Sequence, residues 1–269
     1  MNPVRDYKNK KKPQREQISN GMKITFLGTN GWYDTESGNT ICTLIETKEY
    51  FIILDAGNGI YKIKKYIEKE KPIYLFLSHF HLDHIIGLHI LNKFNLKQEI
   101  NICGQKGTKR ILKKIINHPF TVPFRKLPYP IKFYELPKEN NKPPFLVKSN
   151  FLRHSSPCLG YRFELDGKII TYCPDTGICE NAIKLAKNAD LLITECALKV
   201  GGLRYEGWPH LNLEEAAKIA KEAKAKKLTL IHFDASIYQT LKEREEAEKL
   251  AKKIFHNTFA ARDDMEIKI

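Results

Sequence analysis

Apolar residues in this chain come in short runs, and most of the runs end on a polar residue or a glycine. MKITFLG (22–28), TICTLIE (40–46), YFIILDA (50–56) and PIYLFLS (72–78) each have the length and turn-forming boundaries of a buried strand. The second and third are joined by Thr47-Lys48-Glu49 and read as a hairpin. Residues 59–69 have helical spacing with a Lys/Glu face, and helices are predicted at 85–95 and 106–117 around a strand at 99–103. HPFTVPFRKLPYP (118–130) carries four prolines and reads as a loop, a candidate flap over a site. Strands follow at 131–136, 145–153, 160–165 and 168–173, a helix at 180–188 and a strand at 190–195. Asn212, with Glu215 three positions on, predicts a capping box opening a helix near 213–225. A strand at 228–232, a charged helix at 240–254 and a strand pair near 257–269 complete the chain.

This interleaving predicts an α/β unit of two layered sheets flanked by helices, with no repeat and no interdomain linker. Residues 1–20 are polar and aperiodic and read as a basic mobile tail, which leaves 21–269 as one folded domain. With 42% hydrophobic residues among 269, the chain can bury a sizeable core, which excludes disorder throughout. No apolar run approaches the roughly 20 residues that span a bilayer. The start lacks the apolar stretch of a secretory signal, so the expected location is the cytoplasm. The six cysteines form no CxxC pair and read as buried, reduced thiols.

Charge adds a partner class. The chain carries a net +14; residues 1–20 hold six basic against two acidic residues, and +10 is spread over the rest. Such a surface attracts polyanions, of which RNA is the candidate, although Lys-rich surfaces also serve solubility.

The densest chemistry is Ser78-His79-Phe80-His81-Leu82-Asp83-His84, directly after an apolar strand. On an extended backbone His79 and His81 point to the same side and can hold one metal. Asp83 and His84, after the chain turns, can hold a second. Imidazoles with carboxylates suit zinc, with manganese or iron as alternatives. Further ligands are needed, and His154, Asp175 and His232 each stand where an apolar strand gives way to a loop.

From about Met22 onward the chain resembles the metallo-β-lactamase superfamily, and within it the ribonuclease Z-like phosphodiesterases. The residues that carry the resemblance are Phe26-Leu27-Gly28-Thr29, the turn Leu54–Gly59, the HxHxDH segment, His154 with Gly160-Tyr161-Arg162, Pro174-Asp175-Thr176-Gly177 and His232-Phe233. The resemblance implies an αββα sandwich of two packed mixed sheets with a dinuclear site at one edge, and favours a homodimer. It implies that His79, His81 and His154 bind one divalent metal, that Asp83, His84 and His232 bind the other, and that Asp175 bridges them. A metal-bridged hydroxide would then hydrolyse a phosphodiester in line, Asp83 also accepting the water's proton. His210 matches the family position of the acid that protonates the leaving group, and Glu195 an acidic position that orients it.

Three departures bear on the substrate. The long Gly/Pro-rich arm of some tRNA-processing relatives has no room between His154 and Asp175. The family's His-Glu-Ala-Thr and His-Ser-Thr stretches read Thr194-Glu195-Cys196-Ala197 and His210-Leu211-Asn212. An arginine expected soon after the last histidine is absent from Phe233–Tyr238. These departures count against a tRNA substrate, whereas the resemblance, the +14 charge and the basic tail give as the main expectation an endonuclease of the tRNA 3′-end processing type, acting on RNA such as precursor tRNA. A phosphodiesterase for small cyclic nucleotides or cyclic phosphates is the alternative. A non-catalytic metal- or nucleic-acid-binding protein is the second alternative. His89, His118 and His256 have no motif around them and are read as ordinary histidines.

Overall fold

A computed structural model describes residues 21–136 and 142–269; the basic segment 1–20 lies outside the described residues. Fifteen strands and five α-helices are described. Strands β1 (Lys23–Gly28), β2 (Asn30–Gly31), β3 (Cys42–Glu46), β4 (Phe51–Leu54), β5 (Ile73–Phe76), β6 (Ile100–Gln105) and β7 (Ile131–Leu136) occupy the first half. Then come β8 (Leu146–Leu152), β9 (Cys158–Leu165), β10 (Lys168–Cys173), β11 (Leu191–Glu195), β12 (Leu228–Ile231), β13 (Phe233–Asp234), β14 (Thr258–Ala260) and β15 (Met265–Lys268). The helices are α1 (Leu82–Ile85), α2 (Thr108–Ile115), α3 (Glu180–Ala186), α4 (Leu213–Glu222) and α5 (Leu241–Ala251).

Two mixed sheets form. One runs β15-β1-β3-β4-β5-β6-β7 and the other β14-β12-β11-β10-β9-β8. The period-2 pattern of the strands sorts side chains into three apolar layers. Ile52, Leu54 and Phe76 of the first sheet meet Tyr161, Phe163, Ile170, Tyr172 and Ile193 of the second between the sheets. Phe51, Ile53, Ile73 and Leu75 point the other way, beneath the helical segments of the first half. Leu192, Leu228 and Leu230 face Ala216, Ala217 and Ala220 of α4 and Ala247 of α5. Three apolar layers between four layers of secondary structure make an αββα sandwich.

The β3–β4 hairpin forms as the pattern predicts, and Asn212 with Glu215 closes the expected capping box. Thr240 and Glu243 make a second box at the start of α5. Two predicted helices differ. Asn58–Lys65 and Ile86–Lys93 are 3₁₀ segments, and α1 is a single turn. For the second the cause is tertiary: His84 O accepts Ala56 N–H at 2.8 Å, and Gly87 N–H turns to Ala56 O at 2.9 Å, so the backbone bonds across to the Asp55–Gly57 turn. A Cβ on Gly87 would stand 2.3 Å from Gly57 O, which is why only glycine allows this approach.

The C-terminal strands do not pair with each other. β14 joins β12 in the second sheet, and β15 joins β1 in the first. The connection ties the sheets together through Asp263, whose carboxylate accepts from Thr29 Oγ1 (2.8 Å), Asn39 N–H (2.9 Å) and Lys62 Nζ (2.7 Å). All six cysteines are free thiols; five are buried and Cys179 is half-buried. Among the described residues no helix is long and apolar enough to cross a membrane.

Candidate metal centre

Every candidate ligand lies at or just past the C-terminal end of a strand, all at one edge of the two sheets. His79, His81, Asp83 and His84 follow β5, His154 follows β8, Asp175 follows β10 and His232 follows β12. Glu195 is the last residue of β11. Each strand is pinned by the core, and the loop that begins where the core ends carries polar residues inward.

The seven residues converge in two groups. His79, His81, His154 and Asp175 offer ligand atoms within 4.8 Å of one another, as do Asp83, His84 and His232. The two oxygens of Asp175 face different groups. Oδ2 lies 3.9 Å from His79 Nε2 and 3.8 Å from His154 Nε2. Oδ1 lies 3.1 Å from His84 Nε2 and 3.3 Å from His232 Nε2. Asp83 Oδ2 is 3.2 Å from His232 Nε2 and 3.7 Å from His84 Nε2. Asp83 Oδ2 and His232 Nε2 are within hydrogen-bond reach, but Asp175 Oδ1 and His79 Nε2 are buried with no aligned partner, so hydrogen bonding does not satisfy the cluster. Nitrogen lone pairs and carboxylate oxygens converging from several directions on shared points are the donor set of divalent cations, and the residues fit two of them.

Electrostatics agree with that fit. Burial, reinforced by the neighbouring His84, keeps His79 well below the usual imidazole range. Burial likewise lowers His154, to about 4. Burial opposes ionisation of Asp175 and Asp83, but the nearby imidazoles win and hold both below the usual carboxylate range. For His84 burial is overcome by Asp175, Asp83 and Asp55, and its pKa is raised. His79 and His154, held neutral beside ionised carboxylates, are in the state that metal binding requires. His84 and His232, in which burial is overcome by the carboxylates, would release a proton when a cation binds.

Asp55 organises the rear of the site. Its Oδ2 accepts from His84 Nδ1 (2.8 Å), Ser78 Oγ (2.8 Å) and Tyr172 Oη (2.6 Å), and its Oδ1 accepts Ser78 N–H (2.7 Å). With its own proton committed to Asp55, Ser78 Oγ accepts from His79 Nδ1 at 3.0 Å. One carboxylate thus places the Nδ1 protons of His84 and His79 on the outer side and turns both Nε2 atoms inward. Asp55 carries the same local signal as His232, since it ends the apolar run YFIILD just as His232 ends LTLIH. Asp55 and His232 both hold left-handed backbone, φ 55° and 52°, a costly conformation that surrounding contacts must impose.

His210 and Glu195 form a separate pair beside the ligands. Fully buried Glu195 accepts from His210 Nδ1 at 2.9 and 3.0 Å, from Leu211 N–H at 3.2 Å and from Thr176 N–H. Burial opposes the charge on His210, but Glu195 outweighs it and raises the imidazole to about 9. His210 Nε2 is buried, without a partner, on the wall of the cleft beside Asp175 and His232. That cleft, about 400 Å³, is otherwise walled by Trp32, Phe80, Leu82 and Trp208.

Loop 118–130 does not cover this cleft. Phe124–Pro130 instead lines a separate cavity of about 910 Å³ with Lys109, Lys113 and Lys132. Among the described residues no arginine lines the cleft in place of the one expected soon after the last histidine. Arg244 of α5 is buried behind it, bonded to Thr29 Oγ1 (2.9 Å), Asn30 Oδ1 and Ser37 Oγ (3.0 Å) and stacked on Phe233. It fixes the loop after β1, whose Gly31 lies so close to His232 that a Cβ would stand 2.5 Å from the ring. His89 lies outside the cluster, its Nδ1 2.6 Å from Ile86 O.

The family model described as "Beta-lactamase superfamily domain" matches residues 50–233, and the chain belongs to that superfamily. It is a metal-dependent hydrolase of the superfamily. A ribonuclease Z from Enterococcus faecalis is 27% identical over 305 residues, spanning 90% of this chain and 96% of the relative. The probable metallo-hydrolase YhfI of Bacillus subtilis is 29% identical over 79% of this chain and 87% of its own. The crystal structure of YhfI superposes with a TM-score of 0.76 at 22% identity, covering 93% of this chain and 100% of that one. The short form of human tRNase Z superposes at 0.71 and 24% identity, covering 91% and 98%. At these identities the superpositions speak for the fold.

Proposed function

We propose that this chain is a dinuclear, metal-dependent phosphodiesterase of the ribonuclease Z type that cleaves RNA, with precursor tRNA 3′ ends as the first candidate substrate. The observation that carries the reading is Asp175, whose two oxygens face two separate imidazole groups. His79, His81 and His154 would hold one cation and Asp83, His84 and His232 the other, with Asp175 shared; zinc suits this donor set, with manganese or iron as alternatives. When bound, the two cations acidify water and neutralise charge on the phosphoryl oxygens.

The protein's own residues supply the rest. Asp83, held ionised, faces the cleft and can accept the proton of an attacking water. Its Oδ2 is aimed by the Trp32 N–H at 2.8 Å. His210, charged at neutral pH through Glu195, directs Nε2 into the cleft and can protonate a leaving alkoxide. An RNA substrate is supported by the ribonuclease Z relatives and by the cavity lined by Lys109, Lys113, Arg125 and Lys132, which has no acidic side chain in its wall. Of these, Lys132 is paired with Glu99, which lies outside that wall.

The small-diester reading keeps one specific observation in its favour. Between His154 and Asp175 the chain is only the antiparallel pair β9–β10, closed by Asp166-Gly167, so no arm projects there. Cleavage of a 3′-extended precursor tRNA beside bis(p-nitrophenyl) phosphate, with Asp83→Ala as control, separates the two. Cutting at the 3′ end of the tRNA body supports the RNA reading. Hydrolysis of the small diester with tRNA intact overturns it.

A further inference from the structure

The chain has two tryptophans, and both stand at the mouth of the metal cleft. Trp208 lies flat on the His81 imidazole, with centroids 5.1 Å apart and planes 7° apart. Trp32 lies on Trp208 at 5.5 Å and 22°. The result is a ladder, His81–Trp208–Trp32, running outward from a candidate metal ligand to solvent, where Trp32 is 51% exposed. Leaving a large apolar ring in water forgoes the free energy of its burial. The backbone of Trp32 adds a further cost: φ is +70°, rare for a bulky residue. This conformation is held by the Trp32 N–H bond to Asp83 Oδ2. A strained, exposed aromatic fixed to the catalytic carboxylate is thus set at a defined distance from the reacting centre.

We propose that Trp32, backed by Trp208, is a stacking platform for an unpaired nucleobase next to the scissile phosphate. This rests on the phosphodiesterase reading and deepens it by naming a part of the substrate. A flat ring is the occupant that fits, because the ladder offers an aromatic face, while the polar groups of the cleft converge on Asp175, His210 and His232. Stacking accepts any base, so the platform fixes the register of the strand without reading its sequence. It is a specificity element: it favours diesters that carry a base over those that do not.

Because Trp32 and Trp208 are the only tryptophans, tryptophan emission of the metal-loaded full chain, excited where the twelve tyrosines do not absorb, reports on this platform. Adenosine 5′-monophosphate is expected to quench it saturably. Ribose 5-phosphate, with the same phosphate and no base, is expected to leave the emission unchanged and, as a competitor of the quenching by adenosine 5′-monophosphate, to bind about tenfold or more weakly. In Trp32→Ala that preference is expected to collapse to about twofold, and Trp32→Phe to restore most of it. The kcat/KM ratio between a dinucleotide and a methyl ribose phosphodiester should fall in parallel. Circular dichroism and metal content check that each variant is folded and loaded. Equal binding of the two monophosphates to the wild-type chain, or an unchanged preference in Trp32→Ala, would overturn the platform. If no diester is turned over but base-dependent quenching persists, the phosphodiesterase reading fails and the platform stands.

Discussion

Asp55 and His84 meet at 2.8 Å, carboxylate Oδ2 to imidazole Nδ1, with both side chains fully buried. Both residues follow strands of the first sheet, and Tyr172 of β10 in the second sheet donates to the same Asp55 oxygen, so this carboxylate links the two sheets. The same carboxylate reaches His79 through Ser78, so one residue governs a histidine in each ligand group. Asp55→Asn should keep the fold and weaken metal retention about 10- to 100-fold. Competition with a chromophoric chelator measures it; unchanged affinity would show that the Nδ1 side has no influence on the ligands.

Gly31 gives a steric test of the second group. A Cβ there would come within 2.5–2.9 Å of three atoms of the His232 ring. His232 is buried and its Nε2 lies against His84 and Asp83, so a shift of the ring disturbs that group. Gly31→Ala is expected to lower occupancy of the cation near Asp83 and His84 about tenfold or more, leaving the group near His154 loaded. Metal analysis after dialysis should then show close to one equivalent in place of two.

The His210–Glu195 pair predicts a pH signature. In metal-free protein the His210 imidazole should titrate near 9 by NMR. Burial opposes the charge and Glu195 more than offsets it, so Glu195→Gln should drop the value below 6.5. A raised folded pKa means that the pair stabilises the fold fully below pH 6.5 and loses that contribution as pH rises through about 9. Urea denaturation of the metal-free chain against pH should show this loss in the wild type and not in Glu195→Gln.

His210→Ala is expected to slow turnover about 10²- to 10⁴-fold with both metals retained, the range for a lost general acid. His210 also stands within ligand range of Asp175 and His232. Loss of metal in this variant would therefore make His210 a ligand rather than an acid.

The strand ends made much of this site legible in the sequence. His154, Asp175 and His232 are read from the same local event, an apolar run breaking into a polar residue, and the structure places all three within reach of HxHxDH. Asp55 shows the same event and was still given no role, because its function lies in what it holds: His84, Ser78 and, 117 positions away, Tyr172. Gly31 and Arg244 were invisible for the same reason. Arg244 bonds Asn30 across 214 positions, and no local pattern encodes such a contact. The 3₁₀ segments are not legible locally because apolar residues at i and i+3 suit both helix types, and at Ile86–Lys93 the bond from Gly87 N–H to Ala56 O comes from far back in the chain. The last two strands were expected as a pair, yet their partners lie far back in the chain, β12 for one and β1 for the other.

The most direct test of the account is metal content measured together with turnover on the full chain. Protein loaded with zinc or manganese and dialysed free of excess should retain two equivalents. Its diesterase activity should vanish on chelation and return on reloading, and Asp175→Asn should lose both metal and activity. Retention of one equivalent at most with full activity, or turnover indifferent to the chelator, would contradict a dinuclear centre bridged by Asp175.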